Sequence, residues 1–341
     1  MTSNADMPIP VPDVPGADAG AKGLPDRSEL TPLQRLVVDA SSVADLGLRT
    51  AIASLVGAAM LPTVVAGAVR RSDSERERRN LAFYAELAAR QDPAVSFPAP
   101  TSVPKVSTRP ANPIAEYIAH GNVHNISFES SFEPLNPAMR TQWGRLRNNN
   151  VVHAQHWRHD DGPRPTLCVI HGFMGSAYSF NGLFFSLPWF YRTGYDVMLY
   201  TLPFHGRRAE KYSPFSGYGY FARGLTGFAE TMAQAVHDFR SVMDWLRHTG
   251  VDRIALTGMS LRGYTSALVA AVDDRLEAVI PNVPVVTPES AFDDWWPANK
   301  LVALGRNVSG ISRDESAAAA LWTATETLID LHFDDIAPKT A

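Results

Sequence analysis

From residue 120 to about 285 the chain alternates between two apolar patterns. Short, nearly continuous apolar runs occur at Thr166–Ile170, Asp196–Thr201, Arg253–Thr257 and Leu276–Ile280. Runs of this length predict strands buried on both faces. Between them, apolar residues recur at helical spacing: Phe228, Met232, Val236, Phe239, Met243 and Leu246 share one face of a helix over 228–247, which Gly250 closes. Asn125–Phe128 and Val151–Trp157 read as earlier strands. The break at Asp160–Pro163 predicts a hairpin joining the second of these to Thr166–Ile170. Strands alternating with helices imply a mostly parallel α/β sheet with helices on both faces. No internal repeat is present.

The first 113 residues are patterned differently. Residues 1–30 are rich in Pro, Ala, Asp and Gly without periodicity and read as a disordered leader. They lack a basic stretch followed by an apolar one, which argues against a secretory signal and for a cytoplasmic chain. Leu33–Leu48 has helical spacing and begins at a cap-like Thr31 before Pro32; Ser74–Arg90 repeats the spacing with Leu81, Tyr84, Leu87 and Ala88. A stretch with six prolines follows from Asp92 to Pro113. Residues 31–113 are therefore expected to form a helical extension and linker, and residues 114–341 the chemical domain. Ala51–Val69 carries no charge and is flanked by Arg49 and by Arg70 and Arg71. Its 19 residues meet the minimum for a membrane span, but small side chains and Pro62 weaken its gain from lipid. Two readings stay open: small-residue helices packed on the body or a partner, or weak membrane association.

Composition narrows the classes. The formal net charge of −4, with no basic run interleaved with aromatics, argues against nucleic acid as a partner. The single cysteine, Cys168, lies inside an apolar run, so no intrachain disulfide or cysteine-built zinc site is available. His153, His156 and His159 mimic a metal pattern. Strand alternation, however, would turn His156 away from the other two, and Asp160 and Asp161 read as turn residues. No metal or cofactor is implied, and oligomeric state is left open.

The candidate chemistry lies at Arg253–Gly263. An apolar strand runs into Gly258-Met259-Ser260, and a small-residue helix follows at once. Such a turn exposes a serine hydroxyl at the top of a sheet, with the helix N-terminus directing N–H groups at developing negative charge. The plainer alternative is a serine that only caps the helix. Upstream stand His171-Gly172-Phe173-Met174-Gly175 after a strand and Pro203-Phe204-His205-Gly206 after the next.

In this order and at this spacing, the three signals resemble the α/β-hydrolase superfamily over residues 120 to 285. The resemblance implies a serine nucleophile, a histidine base and an acidic partner acting on carboxylic esters through an acyl-enzyme. It implies Ser260 as nucleophile, with the N–H groups of Leu261 and of Phe173, or else Met174, forming the oxyanion hole. An alcohol needs an adjacent base to attack at neutral pH, and each oxyanion donor contributes about 3–4 kcal/mol in comparable sites. For the acid the resemblance implies Asp334, if 327–333 is a strand; a helix with Leu321, Thr325, Leu328, Ile329 and His332 on one face fits equally. Asp293 or Asp294 is the second option. By resemblance His171 and His205 shape loops rather than move protons. Phe184, Phe185, Trp189, Phe190, Trp295 and Trp296 are either an acyl pocket or plain core.

The chain departs from the family at two points. Arg262 stands where the second glycine of Gly-x-Ser-x-Gly belongs, with an expected overpacking cost of about 1–3 kcal/mol unless it turns to solvent. No histidine matches the family's base before Ala341, so the fold is expected to lack the last strand and helix. An inactive, shortened hydrolase-like binder, with an exposed sheet edge, is the alternative expectation.

Overall fold

The computed structural model describes residues 30–43, 46, 47, 50, 51, 54, 57, 71–90, 92–171, 178–220, 222–282, 299, 300 and 303. Two compact units divide the chain, Met1–Leu48 and Arg49–Ala341. In the first, a helix over 32–43 starts as its sequence predicts. Thr31 Oγ1 accepts from Gln34 N–H, and Gln34 Oε1 accepts from Thr31 N–H, a reciprocal cap. Its apolar residues Leu33, Leu36, Val37 and Val43 are exposed.

The second unit is built on a seven-stranded sheet: β1 Ser107–Pro110, β2 Asn122–Glu129, β3 Val151–Arg158, β4 Thr166–Ile170, β5 Asp196–Thr201, β6 Ile254–Met259 and β7 Ala278–Asn282. Its order is β1-β2-β3-β5-β4-β6-β7. The first three strands and the β3–β5 pair are antiparallel, while β4, β5, β6 and β7 run parallel. The expected hairpin between residues 151–157 and 166–170 does not form. β5 lies between those strands, pairing Trp157 with Val197 on one side and Leu167 with Val197 on the other. Between β3 and β4, β5 has both of its edges paired.

The sheet divides its side chains by the period of two. Cys168, Ile170, Met198 and Tyr200 face one core with Phe239, Met243 and Leu268. Leu167, Val169, Val197 and Leu199 face the other with Ala115, Ala119, Leu187 and Tyr191. The helices covering the first face include α1 Arg71–Ala89, α7 Gly224–His248 and α8 Leu261–Val272. A short α2 Pro93–Ser96 follows α1, and α4 Arg140–Trp143 lies in the β2–β3 connection. The opposite face carries α3 Pro113–Ala119, α5 Tyr178–Phe184 and α6 Leu187–Arg192.

Residues before 114 also contribute to the core on this sheet. Leu81, Tyr84 and Phe97 are buried in the same core as the sheet. Tyr84 Oη donates to Glu230 on α7 at 2.5 Å, and Glu77 Oε1 accepts from Thr226 N–H at the start of α7. β1, from the proline-rich stretch, forms the first strand of the sheet, where Pro110 is tolerated because an edge strand leaves its N–H side unpaired. Among the described residues no helix is long and apolar enough to cross a membrane.

Candidate active site

Four strand ends meet at one rim. Ile170 pairs with Gly258 and with Tyr200, and Met259 pairs with Asn282. His171, the 202–206 loop and Ser260 therefore leave the sheet side by side, at the carboxyl edge where open α/β sheets bind ligands.

Ser260 sits between β6 and α8 with φ 60 and ψ −127. A non-glycine residue held at positive φ is uncommon and carries a cost of order 1–3 kcal/mol that the surroundings must offset. They do so through backbone and side chain. Ser260 N–H donates to Asn282 C=O at 2.9 Å, Tyr264 N–H donates to Ser260 C=O at 3.1 Å, and Asn282 Nδ2 and Thr257 Oγ1 join the two strand ends at 2.8 Å. The Ser260 side chain makes no capping hydrogen bond. The plain cap reading fails on both counts, since a cap serine has extended φ/ψ and bonds the first turn through its hydroxyl. Leu261 opens α8, where the helix supplies no acceptor for its N–H. Gly258 is required by close approach: a Cβ there would lie 2.4 Å from Arg262 O and 2.6 Å from Ser266 Oγ.

That contact relocates the tight position. Crowding between β6 and α8 falls on Gly258, not on residue 262. Arg262 does not turn to solvent; it is 1% exposed. Its Nη2 donates to His205 Nε2 at 2.5 Å, while His205 Nδ1–H donates to Pro203 C=O at 2.8 Å. These two bonds set the tautomer of His205 and occupy both ring nitrogens. Burial, and then the Arg262 charge, hold the imidazole well below the usual histidine range. Burial likewise brings the Arg262 pKa down to about 10. The ring of His205 stands edge-on to His171 at 5.3 Å and to Tyr220 at 5.5 Å. Gly217, at φ 94, lets the 217–220 turn cross this ring; a Cβ there would lie 2.5 Å from Nε2. His171 and His205 thus shape buried loop structure, in keeping with the sequence expectation.

A second buried network fixes the 202–208 loop from below. Arg208 and Asp238 form a fully buried ion pair at 2.6 Å. Arg208 also donates to Asn149 C=O at 2.7 Å, and Asn149 Oδ1 accepts from Phe204 N–H at 2.9 Å, where φ is 59. Gln234 Oε1 accepts from both Asn149 Nδ2 and Trp143 Nε1. Every member is partnered, the condition under which a buried polar network specifies one arrangement.

Other sequence candidates fall elsewhere. Phe173, Met174, Asp293, Asp294, Trp295, Trp296, His332 and Asp334 lie outside the described residues. Phe185 and Phe190 pack on the second core, whereas Trp189 and Phe184 are exposed. His156 packs on Trp245, and His159 bonds Asp196 at 2.8 Å and stacks on Tyr191. Among the described residues no three His, Cys, Asp or Glu converge as metal ligands. Burial pushes the Cys168 thiol up and leaves it inert. The residues that sequence reasoning passed over are Asn282 and the Arg262–His205 pair. A signal for the pair existed: Arg262 is the sole charge in Leu261–Val272, directly after an apolar strand.

The comparisons agree with this architecture. Residues 221–328 match the family model of the X-Pro dipeptidyl-peptidase (S15 family). Two uncharacterized proteins of Mycobacterium tuberculosis, from strains CDC 1551 / Oshkosh and H37Rv, are each 29% identical over 218 residues, 62% of this chain. The chain spans about half the length of these curated relatives, the match covering 50% of each. Among solved structures, acetyl xylan esterase 1 from Thermoanaerobacterium sp. JW/SL YS485 aligns with a TM-score of 0.50 at 16% identity, over 72% of this chain and 74% of that one. With this strand order, the positive-φ serine between strand and helix, and a likeness covering 72% of this chain, the fold is of the α/β-hydrolase type.

Proposed function

We propose that the chain is a serine hydrolase that cleaves carboxylic esters through an acyl-enzyme. Ser260 is the nucleophile, the N–H groups of Leu261 and Phe173 are the oxyanion donors, and Asp334 is the acid. The reading rests chiefly on one observation: Ser260 is held at φ 60 and ψ −127 with its hydroxyl left out of helix capping. Such strain, repeatedly braced, is characteristic of a functional position. In the first step Oγ bonds to the acyl carbon and gives its proton to a base. The carbon–alcohol bond then breaks and the alcohol leaves protonated. Water next attacks the acyl-enzyme, releasing the acid and restoring the serine. Esters require less leaving-group assistance than amides. The S15 match makes X-Pro amides the natural comparison substrate.

A binder without turnover is the second reading. It is favoured by His205, the histidine beside Ser260's helix, having both ring nitrogens engaged and its charged form suppressed. Labelling with a fluorophosphonate separates the two. Rapid labelling that disappears in Ser260→Ala, with turnover of p-nitrophenyl acetate exceeding that of an X-Pro anilide, supports the esterase. Folded protein that resists the probe supports the binder. His332→Ala, read in the same assay, tests the last histidine in the chain as the base.

A further inference from the structure

A second serine stands within hydrogen-bond reach of a histidine. Ser131 Oγ and His237 Nε2 lie 3.0 Å apart. Ser131 is exposed, in the connection that leaves β2, whereas His237 on α7 is buried. The other ring nitrogen is held as well: His237 Nδ1–H donates to Pro98 C=O at 3.1 Å. That bond fixes the tautomer, so Nε2 carries the lone pair and the Ser131 hydroxyl donates to it. Phe132 packs edge-on against the imidazole, with ring centroids 5.6 Å apart. The backbone on either side of Ser131 is pinned. Ser130 N–H donates to Asn150 C=O at 2.8 Å, and Phe132 N–H donates to Ser130 Oγ at 3.2 Å. The two adjacent serines differ in kind. Ser130 Oγ donates to the Asp238 carboxylate and accepts from Phe132 N–H, so its hydroxyl is engaged in structure. Among the described residues Ser131 Oγ bonds only the imidazole.

We infer that Ser131 is a second acylatable serine, with His237 as its base and Pro98 C=O as the group that orients the base. The inference is independent of the reading of Ser260. A hydroxyl, a base within about 2.6–3.2 Å and a third group fixing that base are what activate an alcohol at neutral pH. The ligand class is an activated carboxylic ester. Ser131 Oγ bonds to the acyl carbon while its proton passes to His237 Nε2. The bond from that carbon to the leaving oxygen breaks, and the leaving alcohol takes the proton from Nε2. The products are O-acyl-Ser131 and the free alcohol, with the imidazole neutral again. Burial of the ring and exposure of the hydroxyl suit this order, since the base is shielded and the nucleophile is within reach of an ester from solvent. At His205 the nitrogen corresponding to Nε2 is held by Arg262 instead. Ser131 stands in a connection rather than at the first turn of a helix, so it lacks the N–H donors that α8 offers beside Ser260. Acylation at Ser131 is accordingly slower than at a serine facing such donors.

Acetylation of the full chain by p-nitrophenyl acetate tests this in Ser260→Ala, where Ser260 cannot contribute. Peptide mapping by mass spectrometry should find the acetyl group on Ser131 and far less on Ser102, an exposed serine of the proline-rich stretch. Adding His237→Gln is expected to slow acetylation of Ser131 by about a hundredfold or more, the usual contribution of a general base, with the melting temperature as the check on folding. Ser131→Cys gives a second reading with His237 in place, should the glutamine variant fold poorly. Its thiol should be alkylated by iodoacetamide about tenfold faster at pH 7 than that of Ser102→Cys, because a neighbouring histidine lowers a thiol's pKa. The buried Cys168 does not compete. Equal rates at positions 131 and 102 overturn the inference, as does acetylation of Ser131 that His237→Gln leaves unchanged. A bond that serves packing alone would lower the melting temperature of His237→Gln and leave the labelling uniform across exposed serines, and this too overturns it.

Discussion

Replacing Arg262 by glycine, the residue the superfamily motif prefers, should destabilise this chain rather than relieve it. Its guanidinium and stem fill fully buried volume between α8 and the 203–220 segment, and Nη2 supplies the donor to His205 Nε2. Removing the side chain leaves a cavity of roughly 100 Å³, or about 2.5 kcal/mol at the usual volume dependence. A buried acceptor that loses its donor adds about 2 kcal/mol, and glycine in a helix adds about 1 kcal/mol. Against these stands the release of a desolvated cation. Burial holds Arg262 at about 10 against its ordinary 12.5, a charging cost of about 3.5 kcal/mol. The balance is a loss of about 2 kcal/mol, which for a unit of this size lowers Tm by about 4–6 °C. Differential scanning calorimetry of Arg262→Gly reads it directly. Arg262→Met keeps most of the volume without the charge and should fall between wild type and the glycine variant. A Tm for Arg262→Gly equal to or above wild type would refute the packing argument and restore the view that arginine overcrowds this turn.

Two further outcomes follow from the buried polar groups. Asp238→Asn leaves Arg208 charged and buried without its counterion and should cost about 3–5 kcal/mol by urea denaturation. The double variant Arg208→Met with Asp238→Leu should lose clearly less, and equal losses would contradict this account. Glu230 is a carboxylate whose pKa burial raises against the opposing pull of hydrogen bonds from Tyr84, Asn136 and Leu135. A raised carboxyl contributes stability that is complete below its unfolded pKa and is lost as pH rises through the folded one. The Tm of Glu230→Gln minus that of wild type should therefore increase as pH is taken upward from about 4; a flat difference would show that burial does not raise the Glu230 pKa.

The elements most readily read from the sequence are those whose signal is local. The apolar runs at 166–170 and 196–201 become β4 and β5, buried at every position, because short apolar runs set between turns suit strands covered on both faces. Phe228 through Leu246 predict α7 because one stripe at helical spacing has to face a core. Thr31 before Pro32 predicts a helix start, where Thr31 and Gln34 each satisfy the other's backbone donor. Around Ser260 the order strand, Gly-x-Ser, helix was equally legible, since a tight turn of this kind depends on residues adjacent in the chain.

Tertiary structure alone decided what depends on partners distant in sequence. Backbone hydrogen bonds carry no side-chain label, so the placement of β5 between β3 and β4 left no mark in the apolar pattern. β1 is wholly exposed and ends in proline, and it is a strand only because β2 offers it an edge. Helix α1 is tied to α7 through Tyr84 and Glu230, 146 residues apart, and nothing near either residue announces the other. The fate of Arg262 is the plainest instance. Its neighbours in sequence made it a misfit at a glycine position, whereas His205, 57 residues away, makes it a bonded part of the interior. Local sequence sets which segments can be strand, helix or turn, because propensity and periodicity act over a few residues. Which buried charge is tolerated, and which strand neighbours which, follows from the single three-dimensional arrangement that satisfies all of them together.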